Sequence, residues 1–202
     1  MKKIALLVSL LLECTVAVNA QVKVLAFAGS TRADSYNKKL LSQAVGIARE
    51  MGAQVTVIDL KDYPMPLYDA DYEVAQGMPE SAKRLRALMI QSDAFLIASP
   101  EYNASVPALL KNTLDWASRS EKGGSARGDA FKGKQFAIMS AAPGKGGGAR
   151  ALIHLRTIIE DIGGTVIADQ VSIPLAQEYF SQKDPAQPVA LKEEIKTLTA
   201  KQ

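Results

Sequence analysis

Five short apolar runs recur along the chain: VKVLAFAG from Val22, QVTVIDL from Gln54, DAFLIAS from Asp93, GKQFAIMSAA from Gly133 and TVIADQVSI from Thr165. They are continuous more than alternating, which is the pattern of strands buried on both faces. Segments of helical spacing separate them. Asn37 to Met51 places Leu40, Leu41, Ala44, Ile47 and Ala48 on one face and stops at Gly52. Helices are predicted over 81–90, over 106–118 with Pro107 in the first turn, over 147–162 closed by Gly163-Gly164, and over 189–200. DYPMPLYDADYE, from Asp62, reads as a loop, and EKGGSARGD, from Glu121, as a mobile loop within the domain. Five strands alternating with five helices predict an α/β three-layer sandwich, a five-stranded parallel sheet with helices on both faces. No repeat or linker divides the chain, so 21–202 reads as one domain.

Open parallel sheets bind ligands beyond the carboxyl ends of their strands, where the strand order reverses. Three of the predicted strands end in unusual loops: GSTRADSYN after the first, PEYNAS after the third and APGKGGGAR after the fourth. In the order 2-1-3-4-5 those strands are consecutive neighbours. Their loops therefore converge on one edge of the sheet.

Each loop carries its own chemistry. Gly29 allows a tight turn, Ser30, Thr31, Ser35 and Asn37 offer hydrogen bonds, and Arg32 offers a cation. The loop delivers the amides of a helix start, which favour an anion such as phosphate. A plain strand-to-helix turn, with Ser and Asn only capping, would use the same residues. No GxGxxG or Walker lysine follows the first strand, which argues against a tightly held dinucleotide or nucleoside triphosphate. Around Lys145, Gly144, Gly146, Gly147 and Gly148 let backbone approach a flat ligand. Arg150 serves either that site or the solvent face of the next helix. Tyr102 supplies a flat amphipathic ring, Asn103 a donor and an acceptor, and Glu101 a carboxylate that needs a partner if buried. Together the loops describe a phosphate site, a planar ring system and a polar ring edge. A mononucleotide with a heteroaromatic head has all three.

Composition narrows the chemistry. The 202 residues are 48% hydrophobic and 22% charged, with a net charge of +3. That charge is too weak and scattered to imply nucleic acid. Cys14 is the single cysteine and His154 the single histidine, which excludes multi-histidine metal sites and leaves any Ser-His triad one residue to use. His154 reads as a helix-surface or interface residue. Asp69, Asp71 and Glu73 read as a solvated loop before a cation site. The opening MKKIALLVSLLLECTVAVNA pairs Lys2 and Lys3 with an apolar stretch from Ile4 to Leu12 and a small-residue site at Val18-Asn19-Ala20. That is the layout of a secretory signal peptide, and it predicts export to the periplasm with no stable membrane span after its removal. An apolar strand or helix of the domain is the alternative. Glu13 before Cys14 fits a lipoprotein signal poorly. Cleavage after Ala20 would remove Lys2, Lys3, Glu13 and Cys14, leaving a cysteine-free chain of net charge +2.

GSTRADSYNKKL at 29–40, PLYDADYE at 66–73, PEYNASVPALLKNTLDW at 100–116 and PGKGGGARA at 143–151 resemble the NADPH-dependent FMN reductases of the flavodoxin-like fold, which include FMN-bound quinone, azo-dye and chromate reductases. The resemblance runs from Val22 to about Pro174. It implies that hydride passes from NADPH or NADH through bound FMN to a quinone-like, flavin or other small acceptor, with no side chain needed as acid or base. It places Ser30, Arg32, Ser35 and Asn37 at the FMN phosphate, Pro100, Glu101, Tyr102 and Asn103 along the ribityl chain and ring, and Gly144 and Gly147 near the ring. It also implies a homodimer or homotetramer, with Asp69 to Glu73 near the active site or a subunit contact. Ala142 stands where family members often carry Ser, and the signal-like opening departs from a family whose members are usually cytoplasmic. A flavodoxin-like electron carrier serving a protein partner is the other function this fold supports. Such carriers are strongly acidic, and this chain is slightly basic.

Overall fold

The computed structural model describes residues 21–121, 126–183 and 185–200. Part of EKGGSARGD and the whole signal-like segment lie outside the described residues. Strands β1 (Lys23–Ala28), β2 (Gln54–Val57), β3 (Ala94–Ala98) and β4 (Gln135–Ala141) stand where the apolar runs predict them. They pair in parallel in the order β2-β1-β3-β4. Every residue of β3 is buried, as a central strand between two helical layers requires.

The helices divide between the faces. One core joins α1 (Tyr36–Glu50) to α7 (Val189–Thr199) through Leu40, Ala44, Ile47, Leu191, Ile195 and Leu198. The other packs α3 (Glu80–Gln91), α4 (Ala108–Ala117) and α5 (Ala149–Asp161) on Leu25, Phe27, Phe95 and Phe136. Phe95 and Phe136 stack at 4.4 Å across β3 and β4, a contact favourable beyond its buried area.

Two features depart from the sequence pattern. The fifth strand is broken into β5 (Thr165–Val166) and β6 (Val171–Ile173), both paired with β4. Between the two pairings β4 contributes Ala137 and Ile138, against the longer stretch 167–170 on the outer strand. The outer strand therefore bulges. Two short helices also stand outside the predicted ones, α2 (Ala70–Gln76), which begins inside the stretch read as a loop, and α6 (Ala176–Ser181). α2 buries none of its residues, so it has no apolar stripe for a pattern to reveal.

Candidate functional site

The loops after β1, β3 and β4 meet in one open cleft of about 420 Å³ at the carboxyl ends of the strands. Its walls include Ser30, Arg32, Ser35, Tyr36, Tyr102 and Ala142. A larger cleft, about 1180 Å³, is lined by Val22, Asp93, Lys134 and Gln135 at the amino ends of the strands. It lacks the converging loops, and ligands of such sheets bind at the opposite edge.

The first wall begins with Gly29, whose amide donates to the Ala98 carbonyl at 2.8 Å. A Cβ there would stand 3.1 Å from Leu110, so glycine lets α4 approach β1. Ser35 caps α1, its Oγ accepting from the Lys38 amide at 3.4 Å. Ser30 Oγ accepts from the Arg32 amide at 3.3 Å. Thr31 and Arg32 are exposed, and the Arg32 guanidinium donates to the Asp34 carbonyl at 3.0 Å. The first amides of α1 have no carbonyl one turn back to meet. Asn37 is placed differently from its neighbours. It is buried, its Nδ2 donates to the Ala141 carbonyl and its Oδ1 accepts from the Ala141 amide, each at 2.9 Å. Both ends of its amide are spent on holding α1 to the end of β4, so it positions the first and third loops together.

The second wall turns sharply. Tyr102 and Ser105 exchange backbone hydrogen bonds of 3.0 and 3.1 Å around Asn103 and Ala104. Both central residues have positive φ, 49° and 63°, a type I′ turn. Asn tolerates that region and Ala does so at a cost, so the turn holds local strain. It leaves Tyr102 51% exposed at the cleft, while Pro100 is buried at the foot of the wall. His154 Nδ1 lies 3.0 Å from Ser105 Oγ, tying the turn to α5.

Glu101 lines the cleft, and its carboxylate is taken up by the start of α5. Its Oε1 accepts from Arg150 Nη2 at 2.7 Å and Nε at 3.0 Å, and its Oε2 from the Arg150 and Ala151 amides at 3.1 and 3.3 Å. It therefore caps α5 from another loop. Desolvation works to raise its pKa, but the Arg150 and Ala151 hydrogen bonds and the Arg150 charge outweigh it and hold the carboxyl below its ordinary value.

The third wall is the glycine loop. Ala142 donates to the Ile173 carbonyl at 3.1 Å, and Ser172 Oγ donates to the Gly146 carbonyl at 3.1 Å. Gly147 presses on β6, where a Cβ would meet Ser172 Oγ at 2.4 Å. Gly148 presses on Ser140, with φ 89° and only 1.9 Å for a Cβ. Gly144 and Gly146 face open space, where a flat ligand can reach their backbone. Sequence reasoning took Gly148 as open backbone for a ligand and missed that it packs on Ser140. The only signal was three consecutive glycines before a helix.

The segment 66–73 is strapped to α4. Pro66 O accepts from Trp116 Nε1 at 2.8 Å and from Asn112 Nδ2 at 2.9 Å. Trp116 is fully buried, edge-on to Tyr68 and Tyr72. Glu73 accepts from Arg119 at 2.9 Å and from the Tyr68 hydroxyl at 2.9 Å, and the Arg119 hydrogen bonds chiefly hold it below its ordinary pKa. Asp69 caps α2. These carboxylates are thus engaged with protein groups.

The comparisons agree with the geometry. A family model described as NADPH-dependent FMN reductase matches residues 22–178. An NAD(P)H-dependent FMN reductase of Pseudomonas aeruginosa is 40% identical over 135 residues, 67% of this chain and 68% of that protein. An NADPH:quinone oxidoreductase of Arabidopsis thaliana is 38% identical, over 73% of this chain and 71% of its own. The solved structure of FerB, a flavoenzyme NAD(P)H:(acceptor) oxidoreductase from Paracoccus denitrificans, superposes with a TM-score of 0.68 at 26% identity, covering 88% of this chain and 95% of that one.

Proposed function

The chain belongs to the NADPH-dependent FMN reductase family and is an FMN-dependent NAD(P)H oxidoreductase, and from that premise we propose that the three-loop cleft is its FMN site and that quinones are among its acceptors. The observation that carries the site is the convergence of Ser30, Arg32, Ser35, Tyr102 and Ala142 on one cleft. Quinones enter from the relatives, among which stand an NADPH:quinone oxidoreductase and a quinone reductase of Escherichia coli.

The residues fit the cofactor. The Ser30 and Ser35 hydroxyls and the first amides of α1 are donors for a phosphate, and Arg32 supplies countercharge at the mouth. Tyr102 offers ring surface, and the open backbone at Gly144 and Gly146 admits a planar system. Asn37 and Glu101 support the walls through Ala141 and through α5. Bound FMN supplies the hydride chemistry, and the protein supplies binding and orientation. No general acid or base is assigned. The relatives described are reductases, which favours the enzyme over the electron carrier.

Two further parts belong to the same proposal. Leu67, Tyr72 and Val74 are exposed apolar residues on the segment strapped to α4, and they support a subunit contact in a dimer or tetramer. Residues 1–20 support export by their signal-like order. Among the described residues no helix is long and apolar enough to cross a membrane.

The test is purified protein titrated with FMN and then assayed for NADPH oxidation with a soluble quinone. Stoichiometric uptake and turnover are expected. Protein that takes up no FMN would sink the site.

A further inference from the structure

The bulge between β5 and β6 holds a buried acid. Glu194 of α7 is 0% exposed, and its Oε1 accepts from the Ile138 amide at 2.8 Å. That amide lies where β4 has neither β5 nor β6 to pair with. Glu194 thus fills a missing place in the ladder. Its Oε2 is buried with no hydrogen-bond partner among the described residues. A carboxylate in that setting would leave a charge uncompensated, whereas a neutral carboxyl keeps the one bond the ladder needs.

The surroundings offer little compensation. From α5, Arg156 reaches the bulge, but its guanidinium is spent on the Val166, Ile167 and Ala168 carbonyls at 3.0, 2.6 and 3.3 Å and on Glu160 at 3.0 Å. From the bulge itself comes Asp169, an acid. The buried face of α1 that packs on α7 brings Leu40, Ala44, Ile47 and Ala48, and β4 brings Ala137 and Met139, none of them charged. On α7, Glu193 and Lys196 pair with each other at the surface. Burial is the chief cause that pushes Glu194 up to about 8, with Asp169 adding to it and Ile138 and Arg156 opposing.

What the bulge controls is the third wall of the cleft. Beyond it, β6 carries Ser172 and Ile173, on which the glycine loop stands through Gly146 and Ala142. Further on, the Leu175 and Ala176 amides donate to the Gly144 and Ala142 carbonyls at 3.3 and 3.0 Å. A shift of β6 along β4 would therefore carry the 142–147 loop with it. We infer that Glu194 is a positioning residue: its neutral carboxyl fixes the register of β6 and thereby the glycine loop, and its ionisation at alkaline pH loosens that loop and weakens flavin binding. The flavin half of this inference rests on the proposed FMN site. The loop half does not.

The test has two arms on the full chain, wild type and Glu194→Gln, with Glu194→Met as a second neutral variant. The first is hydrogen exchange of the flavin-free protein over 140–148 and 171–176, from about pH 6 to about 9.5, corrected for intrinsic exchange. Wild type is expected to lose protection in these segments across the upper part of the range, and Glu194→Gln to keep a flat profile. Glu194→Met, which cannot accept from Ile138, is expected to be loosened at every pH. The second arm is FMN affinity over the same range. About a tenfold weakening is expected in wild type and less than about twofold in Glu194→Gln. The ratio of the two cancels the titration of FMN itself. A flat wild-type exchange profile, parallel profiles in wild type and Glu194→Gln, or full protection in Glu194→Met would each overturn the inference. Failure of FMN to bind at all would overturn the proposed site and leave the exchange arm standing.

Discussion

Glu101 and Arg150 join the second and third walls of the cleft: one carboxylate takes two bonds from the guanidinium and two from the first turn of α5. The Glu101 carboxyl is shielded while Arg150 is mostly in solvent, so the amide bonds matter more than the ion pair. Glu101→Ala is expected to cost about 2 kcal/mol, and Arg150→Ala under about 1 kcal/mol. The pH dependence has a definite sign. A carboxyl held below its ordinary value stabilises the fold above about 4.5, and that contribution fades as pH falls through the folded value. Thermal melts at descending pH check this. Glu101→Gln should show a smaller acid loss than wild type, and equal losses would sink the argument.

Gly148 and Gly46 should respond in opposite directions to alanine. At Gly148 the positive φ and the Ser140 hydroxyl leave no room for a Cβ, so Gly148→Ala is expected to lose more than about 3 kcal/mol or fail to fold. Gly46 lies within α1 with nothing near its absent Cβ, so Gly46→Ala should gain up to about 1 kcal/mol. Urea midpoints compare the two directly.

Trp116 is the single tryptophan, which makes its fluorescence a reporter for the 66–73 strap. Wild type should emit as a buried indole. Glu73→Ala, which releases Arg119 and the Tyr68 hydroxyl, should shift that emission to the red at temperatures below global unfolding. Trp116→Ala should cost about 3–5 kcal/mol. Unchanged emission in Glu73→Ala would mean that the aromatic contacts hold the strap alone.

Arg32 stands at the mouth of the cleft, and among the described residues no carboxylate forms an ion pair with it. If it faces the FMN phosphate, Arg32→Ala should weaken FMN by about 10- to 100-fold and riboflavin hardly at all. Fluorescence titration with the two flavins gives that ratio. Equal weakening of both would remove Arg32 from the phosphate.

The sequence pattern revealed the sheet because β1, β3 and β4 are buried on both faces and read as unbroken apolar runs. It also revealed the converging loops, since strand order alone makes neighbours of β1, β3 and β4. It did not reveal how the loops are fastened. Asn37 meets Ala141 across 104 positions, and Glu101 meets Ala151 across 50, and no local spacing encodes such pairs. The broken fifth strand was hidden for a related reason. TVIADQVSI has strand composition throughout, but Arg156 takes the carbonyls of its middle and Glu194 takes the amide opposite, so that stretch leaves the ladder.

Glu194 should also give the whole protein an alkaline sensitivity. In the unfolded chain its carboxyl titrates near 4.5, and in the folded chain burial raises it to about 8. Below 4.5 both states are protonated and pH does nothing through this group. Between the two values the unfolded state has released a proton that the folded state keeps, so stability falls as pH rises, by about 1.4 kcal/mol per pH unit at the steepest. Above about 8 the loss levels off. Glu101 acts in the opposite sense at the acid end, so these two acids together favour mildly acidic conditions. Glu194→Gln cannot ionise. Its stability relative to wild type should climb steadily from about pH 5 to about 8 and then hold. Urea denaturation at a series of pH values measures that difference, and two parallel curves would show that the carboxyl is already ionised in the folded protein.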